Sequence, residues 1–194
     1  MVTMPVECWC DGSALRNPGA AGLAYVIKYF EENPEDENAM PEEKRVFGNQ
    51  GFRLSTNNRM EIMATIYGVQ KIISMVDDGT LEGLRQINLF SDSEYFEKAV
   101  NQNWLGKWQQ NNWMTSGYQG KKPTAVKNKD LWEKVIEYKE KLSSMNINLV
   151  ISHVPGHSGI ELNELADKLA VEASSGSDHI VDEGYEKDAK YLQQ

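Results

Sequence analysis

No stretch of the 194-residue chain approaches the roughly 18 consecutive apolar residues that a membrane-spanning helix needs, so no membrane segment is expected. The opening residues MVTMPVECW have no basic stretch followed by an apolar run, and no signal peptide is expected from them. Cysteine is nearly absent, with Cys8 and Cys10 the only two. On a strand they point to one face, too close and too parallel to bond comfortably. Free buried thiols and a reducing, cytoplasmic compartment are the expectation. There is no internal repeat. An excess of positive charge is also missing: the net charge is −9, which argues against a partner made of phosphate until the acids are located.

Two segments hold most of that acidity. Residues 31–45 carry seven acids against Lys44 and Arg45, net −5. Residues 178–194 carry five acids against Lys187 and Lys190, net −3, which leaves only −1 for everything else. Apolar content of 40% and charged content of 25% are ordinary for a globular domain. The length suits one domain with an appendage, and a chain of this size buries a core without a disulfide or metal staple.

The first third reads as strands. Residues 6–11 form one, ending at Asp11-Gly12, and Asn17-Pro18-Gly19 is a turn signal. Residues 22–30 and 45–54 form two more, with the acidic stretch between them as an enlarged hairpin connection, so an antiparallel meander is expected. The period then changes. Ile62, Ile66, Val69, Ile73 and Val76 lie on one helical face, with Asn58 as the expected cap and Glu61 three residues on. Strand 86–90 runs into Ser91-Asp92-Ser93, a helix follows from about Glu94, and another covers 131–142. Residues 147–154 are a fifth strand. A last helix spans 161–173, with Leu162, Leu165, Leu169 and Ala173 on its apolar side. Strands alternating with helices in the second half predict parallel strands and helical crossovers. The expected fold is therefore α/β, a mixed five-stranded sheet flanked by helices. From Ser174 no period is visible, though Tyr185 and Tyr191 could dock locally.

Three acids stand where structural economy would not put them. Asp11 and Asp92 fall at strand ends, where Asp is disfavoured, and Asp167 falls inside a helix beside the apolar row. Ligand sites in open sheets gather at the carboxyl ends of strands, and Asp11 and Asp92 become neighbours there if their strands are adjacent and parallel. Clustered carboxylates repel and call for a counter-charge, which a hard divalent cation supplies. Each acid also has a structural alternative. Asp11 and Asp92 can be turn formers, Glu61 a capping-box residue and Asp167 a solvated helix residue.

Five local words, in order, resemble the type I ribonuclease H family: DGSALRNPGAAG (residues 11–22), STNNRMEIMA (55–64), LFSDSEYF (89–96), KKPTAVKNKDLW (121–132) and HVPGHSGIELNELADKLA (153–170). The resemblance runs from about residue 6 to 171. It implies a ribonuclease H-like fold and hydrolysis of the RNA strand of RNA–DNA hybrids, leaving a 3′-hydroxyl and a 5′-phosphate. It implies a catalytic domain over residues 1–173, with the acidic insertion 31–45, followed by an acidic tail over 174–194. Asp11, Glu61, Asp92 and Asp167 match the family's ligands for two Mg2+ ions, with Mn2+ as a substitute and Asp11 bridging the pair. His157 matches the family's mobile histidine, which assists proton transfer or product release. His153 has no matching role, and a core or strand-edge place is expected for it.

The resemblance also implies substrate contacts. Asn17, Asn57 and Asn58 match asparagines that sense the hybrid, and Ser13 and Thr56 match small hydroxyl residues near its backbones. The 2′-hydroxyl distinguishes RNA from DNA, and uncharged amides suit it. Asn163 and Glu164 match positions near the site. Glu94 is a departure, since many relatives carry Gln there and an ionised carboxylate cannot donate a hydrogen bond. Residues 101–129 contain no acid and set Lys107, Lys121, Lys122, Lys127 and Lys129 among Trp104, Trp108, Trp113 and Tyr118. This reads either as a packed helical hairpin with solvated lysines or as a cationic groove for DNA phosphates. An RNA–DNA hybrid is the expected partner of a monomer with no obligate protein partner. The rival readings are a DNA-cutting enzyme on the same sheet, a hybrid-binding module without activity, and an acidic interaction protein.

Overall fold

The computed structural model describes residues 5–33, 35–36, 38–117 and 122–191. Three antiparallel strands open the chain: β1 (Val6–Ala14), β2 (Gly19–Glu31) and β3 (Glu42–Ser55). All three run past their expected ends, because backbone pairing continues beyond the apolar residues. Asp11 faces Ala24 and Ala14 faces Ala21, while at the far end of the hairpin Glu31 faces Glu42. The acidic stretch is thus the hairpin connection that its composition suggested, shortened to residues 32–41.

Helix α1 (Asn57–Asp77) follows, then β4 (Gln86–Ser91), α2 (Glu94–Asn101), α3 (Trp104–Gln110), α4 (Lys129–Ser144), β5 (Asn148–His153) and α5 (Glu161–Ser175). The chain closes with a two-residue strand β6 (His179–Ile180) and α6 (Glu183–Tyr191). The sheet order is β5-β4-β1-β2-β3-β6. β4 lies parallel to β1, and β5 parallel to β4. The sheet has six strands rather than the expected five. β6 pairs only with Gly51 and Phe52 of β3, too short a run to leave a period in the sequence.

Strand alternation sends β1 side chains to two faces. Val6, Cys8 and Cys10 go into the main core under α1, while Trp9 goes to a smaller one under α5 with Val26, Val154, Leu162 and Ala166. Burying a side chain such as Met60, Ile62 or Ile72 of α1 contributes roughly 1.5–3 kcal/mol each. Both thiols are free and fully buried, with Sγ atoms 3.5 Å apart, as expected. Burial pushes the Cys10 thiol up, so it stays protonated and serves as an apolar filler.

Helix α5 presents a different face from the expected one. Leu162, Ala166, Ala170 and Ser174 are buried, whereas Leu165 and Leu169 are only half-buried. The reason is on the sheet. A Cβ at Gly22 would overlap the backbone of Ala170 and Ser174, and one at Gly51 would stand 2.6 Å from the Ala173 carbonyl oxygen. Two glycines let the helix settle along its small residues, and settling there brings Asp167 close to the sheet.

Beyond residue 173 the chain is more ordered than a solvated tail. Asp182 is buried against Arg59 of α1, which also binds Asp130 at the start of α4. Burial disfavours the Arg59 charge, but hydrogen bonds to Asp130 and Asp182 outweigh it and hold the guanidinium charged.

Candidate active site

Asp11 sits within β1 rather than at its end, because the strand continues to Ala14. Its carboxylate is 5% exposed and accepts a 2.7 Å hydrogen bond from the Gly12 amide. Gly12 is where β1 and α1 touch: a Cβ there would collide with the backbone of Met60 and Glu61. That close approach brings Glu61 beside Asp11. Trp9 pairs with Phe90 in the parallel β1–β4 ladder, so two residues further on the chain sets Asp11 and Asp92 side by side, as expected of adjacent parallel strands. Asp167 arrives from the second turn of α5.

Electrostatics ties the four together. Burial pushes the Asp11 carboxyl up to about 8, and the charges of Asp92, Asp167 and Glu61 add to the rise, with the Gly12 amide opposing it. Burial also raises Glu61, with Asp92 adding to the rise and hydrogen bonds from Ser93 and Asn57 opposing it. Asp92 is raised by burial and by Asp167, and eased by its own backbone amide and by His153 and His157. The donors are all hard oxygens with surplus negative charge, which fits a divalent cation. Among the described residues, no three His, Cys, Asp or Glu side chains stand close enough together to grip an ion as they are placed. The four acids thus face one region without converging to a coordination shell.

Glu61 is not a capping-box residue. The N-cap of α1 is Thr56, whose side chain accepts from the Arg59 amide at 3.4 Å, and Asn58 lies one residue inside the helix, exposed. Thr56 takes the position because its extended backbone (φ −122°, ψ 156°) turns the chain out of β3. Glu61 is free to bind Asn57 Nδ2 at 2.7 Å and the Ser93 hydroxyl. Asn17 Oδ1 accepts from the Asn57 amide at 3.3 Å. Asn17, Thr56, Asn57 and Asn58 therefore gather at one edge beside Glu61, while Ser13 lies half-buried toward the end of β1.

His157 is 85% exposed, with Nδ1 3.8 Å from Asp167 Oδ2. It projects from a loop in which His157 and Gly159 both have positive φ. Glu164 fastens that loop by accepting from the Gly159 amide at 3.0 Å. Gly156 lies so near Asp92 that a Cβ would be 2.8 Å from its Oδ2. Sequence reasoning gave Glu164 no clear task and overlooked two residues. Ser93 caps α2 and also donates to Glu61; its place between Asp92 and Glu94 was the available signal. His153, expected only at a strand edge, does end β5, but its Nε2 lies 3.1 Å from the Asp92 carbonyl oxygen. The β4–β5 register, which pairs His153 with Ser91, is what places it there. The departure at Glu94 is absorbed locally, since Lys98 binds that carboxylate.

Lys107 is exposed on α3, beside a cleft of about 430 Å³ lined by Trp104, Trp108, Asn111, Met114, Thr115 and Ser116. Trp104 and Trp108 are partly buried; Trp104 packs on Trp108 and Trp108 on Trp132, so these tryptophans are structural, while Lys129 lies over the Trp113 ring. Lys122 is exposed, and Lys121 and Tyr118 lie outside the described residues.

A mixed sheet in this order, with carboxylates from two adjacent parallel strands and two flanking helices at one edge, defines an α/β protein of the ribonuclease H-like fold. Residues 4–175 match the family model described as RNase H. The ribonuclease H of Idiomarina loihiensis is 35% identical, over 93% of this chain and 94% of that protein. That of Oleidesulfovibrio alaskensis is 38% identical over 85% and 87%. The crystal structure of LC9-RNase H1 superposes with a TM-score of 0.65 at 26% identity, covering 97% of this chain and 82% of its own. The chain belongs to the ribonuclease H family.

Proposed function

We propose that the protein hydrolyses the RNA strand of RNA–DNA hybrids at a centre formed by Asp11, Glu61, Asp92 and Asp167, with Mg2+ as the ordinary ion and Mn2+ as a substitute. The observation that carries this reading is the gathering in one region of four acids from β1, α1, the end of β4 and α5, with Asp11 buried and Glu61 partly buried. When bound, a pair of divalent ions activates a water and neutralises charge on the leaving oxygen. Asp11, the most buried of the four, would hold the ions together with Glu61, Asp92 and Asp167. Ser93 and Asn57 hold the Glu61 carboxylate in one orientation. His157, beside Asp167 on its exposed loop, is placed to carry a proton to the leaving 3′ oxygen or to ease product out.

The asparagines beside Glu61 read the 2′-hydroxyl, Ser13 and Thr56 contact the backbones, and Lys107, Lys121 and Lys122 bind DNA phosphates. The acidic hairpin takes no part. The catalytic unit covers residues 1–173 and acts as a monomer, and the two free thiols suit a reducing cytoplasm. The experiment is cleavage of labelled RNA–DNA hybrid, RNA duplex and DNA duplex, each with magnesium, manganese or a chelator. Cutting of the RNA strand of the hybrid alone, lost in the chelator, is expected. Cutting of DNA duplex would point to a DNA nuclease, and hybrid binding without cutting to a non-catalytic module.

A further inference from the structure

The acidic C-terminal segment has no part in the proposed chemistry, yet it contains Asp182, only 3% exposed. Its carboxylate receives Arg59 Nε at 2.7 Å and Nη2 at 2.9 Å, the Ser55 hydroxyl at 2.6 Å and the Tyr185 amide at 3.2 Å. Arg59 gives two further donors to Asp130, with Nη1 to Oδ1 at 2.9 Å and Nη2 to Oδ2 at 2.7 Å. The guanidinium is held by two forks on adjacent edges that share Nη2, a strong and directional arrangement. Nothing else fits between: a Cβ on Gly184 would overlap Asp130 Oδ2 and press on Arg59 Nη2. Arg53 adds a second tie to the same segment, binding Glu186 through two nitrogens.

What this clamp grips is the start of α1. Ser55 and Arg59 bracket the turn 56–58, and the Arg59 amide donates to Thr56. The same turn sets Asn57 against Asn17 and Glu61. A first helical turn has backbone donors with no helical partner and frays readily, so something outside the helix must fix it.

We propose that the C-terminal segment is a positioning element for hybrid binding: Asp182, with Asp130, locks Arg59 and so holds the Thr56–Asn57–Asn58 turn in the shape that meets the substrate. This rests on the reading that the turn contacts the hybrid. Asp182, Asp130 and Arg59 touch no reacting atom and act through the turn. Loss of the clamp therefore weakens binding first, while the Ser93 hydroxyl still holds the Glu61 carboxylate. An exposed acidic segment would repel the hybrid, whereas this one has a carboxylate turned inward, where its charge is spent on Arg59.

The test uses the full chain. Asp182→Asn keeps the side-chain size and loses the charge. Asp130→Asn, at a half-exposed position, is the milder variant. Leu142→Ala near the far end of α4 destabilises the core without touching the turn. For each, melting temperature, KM and kcat on an RNA–DNA hybrid, hybrid affinity in a chelator, and amide hydrogen exchange at Asn57, Asn58 and Arg59 without nucleic acid are measured under conditions where all are folded. Asp182→Asn is expected to raise KM and Kd about tenfold with kcat within about twofold, and to speed exchange at the turn about tenfold. Asp130→Asn should shift the same quantities less. Leu142→Ala should lower the melting temperature while keeping the parental KM and turn exchange. Parental KM and turn exchange in both Asp variants, beside a lowered melting temperature, would reduce the cluster to a structural anchor. If Asp182→Asn fails to fold, Asp130→Asn decides. If the parent neither binds nor cuts the hybrid, the functional reading falls, and exchange at the turn still decides whether the segment fixes it.

Discussion

Two groups of acids are drawn partly out of water in this chain, each around one buried member, and they are resolved in opposite ways. Asp130 and Asp182 close on Arg59, so the protein supplies its own cation and every buried oxygen has a partner. Among the described residues, Asp11, Glu61, Asp92 and Asp167 pair with no lysine or arginine, and burial, with the charges of the other three, pushes the Asp11 carboxyl up to about 8. A buried ion pair completes a fold, whereas an uncompensated carboxylate group is a cost that the fold tolerates for the sake of something that binds there. The difference separates the acids bound to Arg59 from those proposed for catalysis more sharply than burial does, since Asp11 and Asp182 are 5% and 3% exposed.

Single substitutions sharpen that contrast. The largest effect is expected from Asp92→Asn, which keeps shape but removes charge that an ion needs. Cleavage should fall about a thousandfold or more while hybrid binding persists. Activity within a few-fold of the parent would end the four-carboxylate account. On the other side, Arg59→Met leaves two carboxylates facing each other without their cation and should cost about 3–5 kcal/mol in chemical denaturation. A loss below about 1 kcal/mol would mean that the cluster is less tightly held than its geometry implies.

Asp11→Asn should do the reverse and stabilise the metal-free protein. The folded carboxyl is raised above its unfolded value, so the wild type is at its best below the unfolded pKa and loses stability as pH rises from about 4 to about 8. The variant escapes that loss. It should gain about 2 kcal/mol or more at pH 8.5 and almost nothing at about pH 2.5, where Asp is neutral in both states. Equal melting curves for the two proteins at pH 8.5 in a chelator would show that the site carries no such repulsion. His157→Ala comes next. The side chain is exposed and touches the carboxylates only through Asp167, so turnover should slow about tenfold without stopping. A complete loss in a folded protein would move His157 into the centre itself. The smallest effect belongs to the periphery. Lys107→Ala with Lys122→Ala should weaken hybrid binding a few-fold and reduce the log–log salt slope by roughly 0.9 for each phosphate left without its lysine. An unchanged slope would exclude these lysines from the interface.

The acids proposed for catalysis stand out in the sequence and those bound to Arg59 do not, for physical reasons. Asp11 and Asp92 break the local preference of a strand, and Asp167 sits beside an apolar row, so each stands out within its own element. Asp182 breaks nothing locally: among Asp178, Glu183 and Glu186 it reads as one more solvated acid, and only its partner 123 residues away makes it a core residue. The meander, the parallel strands and the long helices announced themselves by period, whereas β6 with its two residues could not. The cap of α1 was misplaced by two residues because Thr56 and Asn58 are both good caps, and the choice was made by where β3 releases the chain. The face of α5 was misread because Leu165 and Leu169 outweigh Ala166 and Ala170 in hydrophobicity, while Gly22 and Gly51 decided the packing from the sheet side. His153 owes its contact with Asp92 to strand register, which no single segment encodes.

The brevity of β6 has a consequence for how molecules of this protein meet one another. It covers β3 only at Gly51 and Phe52, so among the described residues the outer side of β3 over 42–50 has no strand beside it. Such a row of open amides and carbonyls invites a second molecule to add its own strand, the first step toward aggregation. The residues along that edge answer the hazard. Glu42, Glu43, Lys44 and Arg45 stand in succession, tied to Glu31 and Glu161 and to one another, so an approaching strand would have to dislodge ion pairs before it could pair. Charged residues at the start of β3 thus oppose edge-to-edge pairing, an effect that weakens as salt rises.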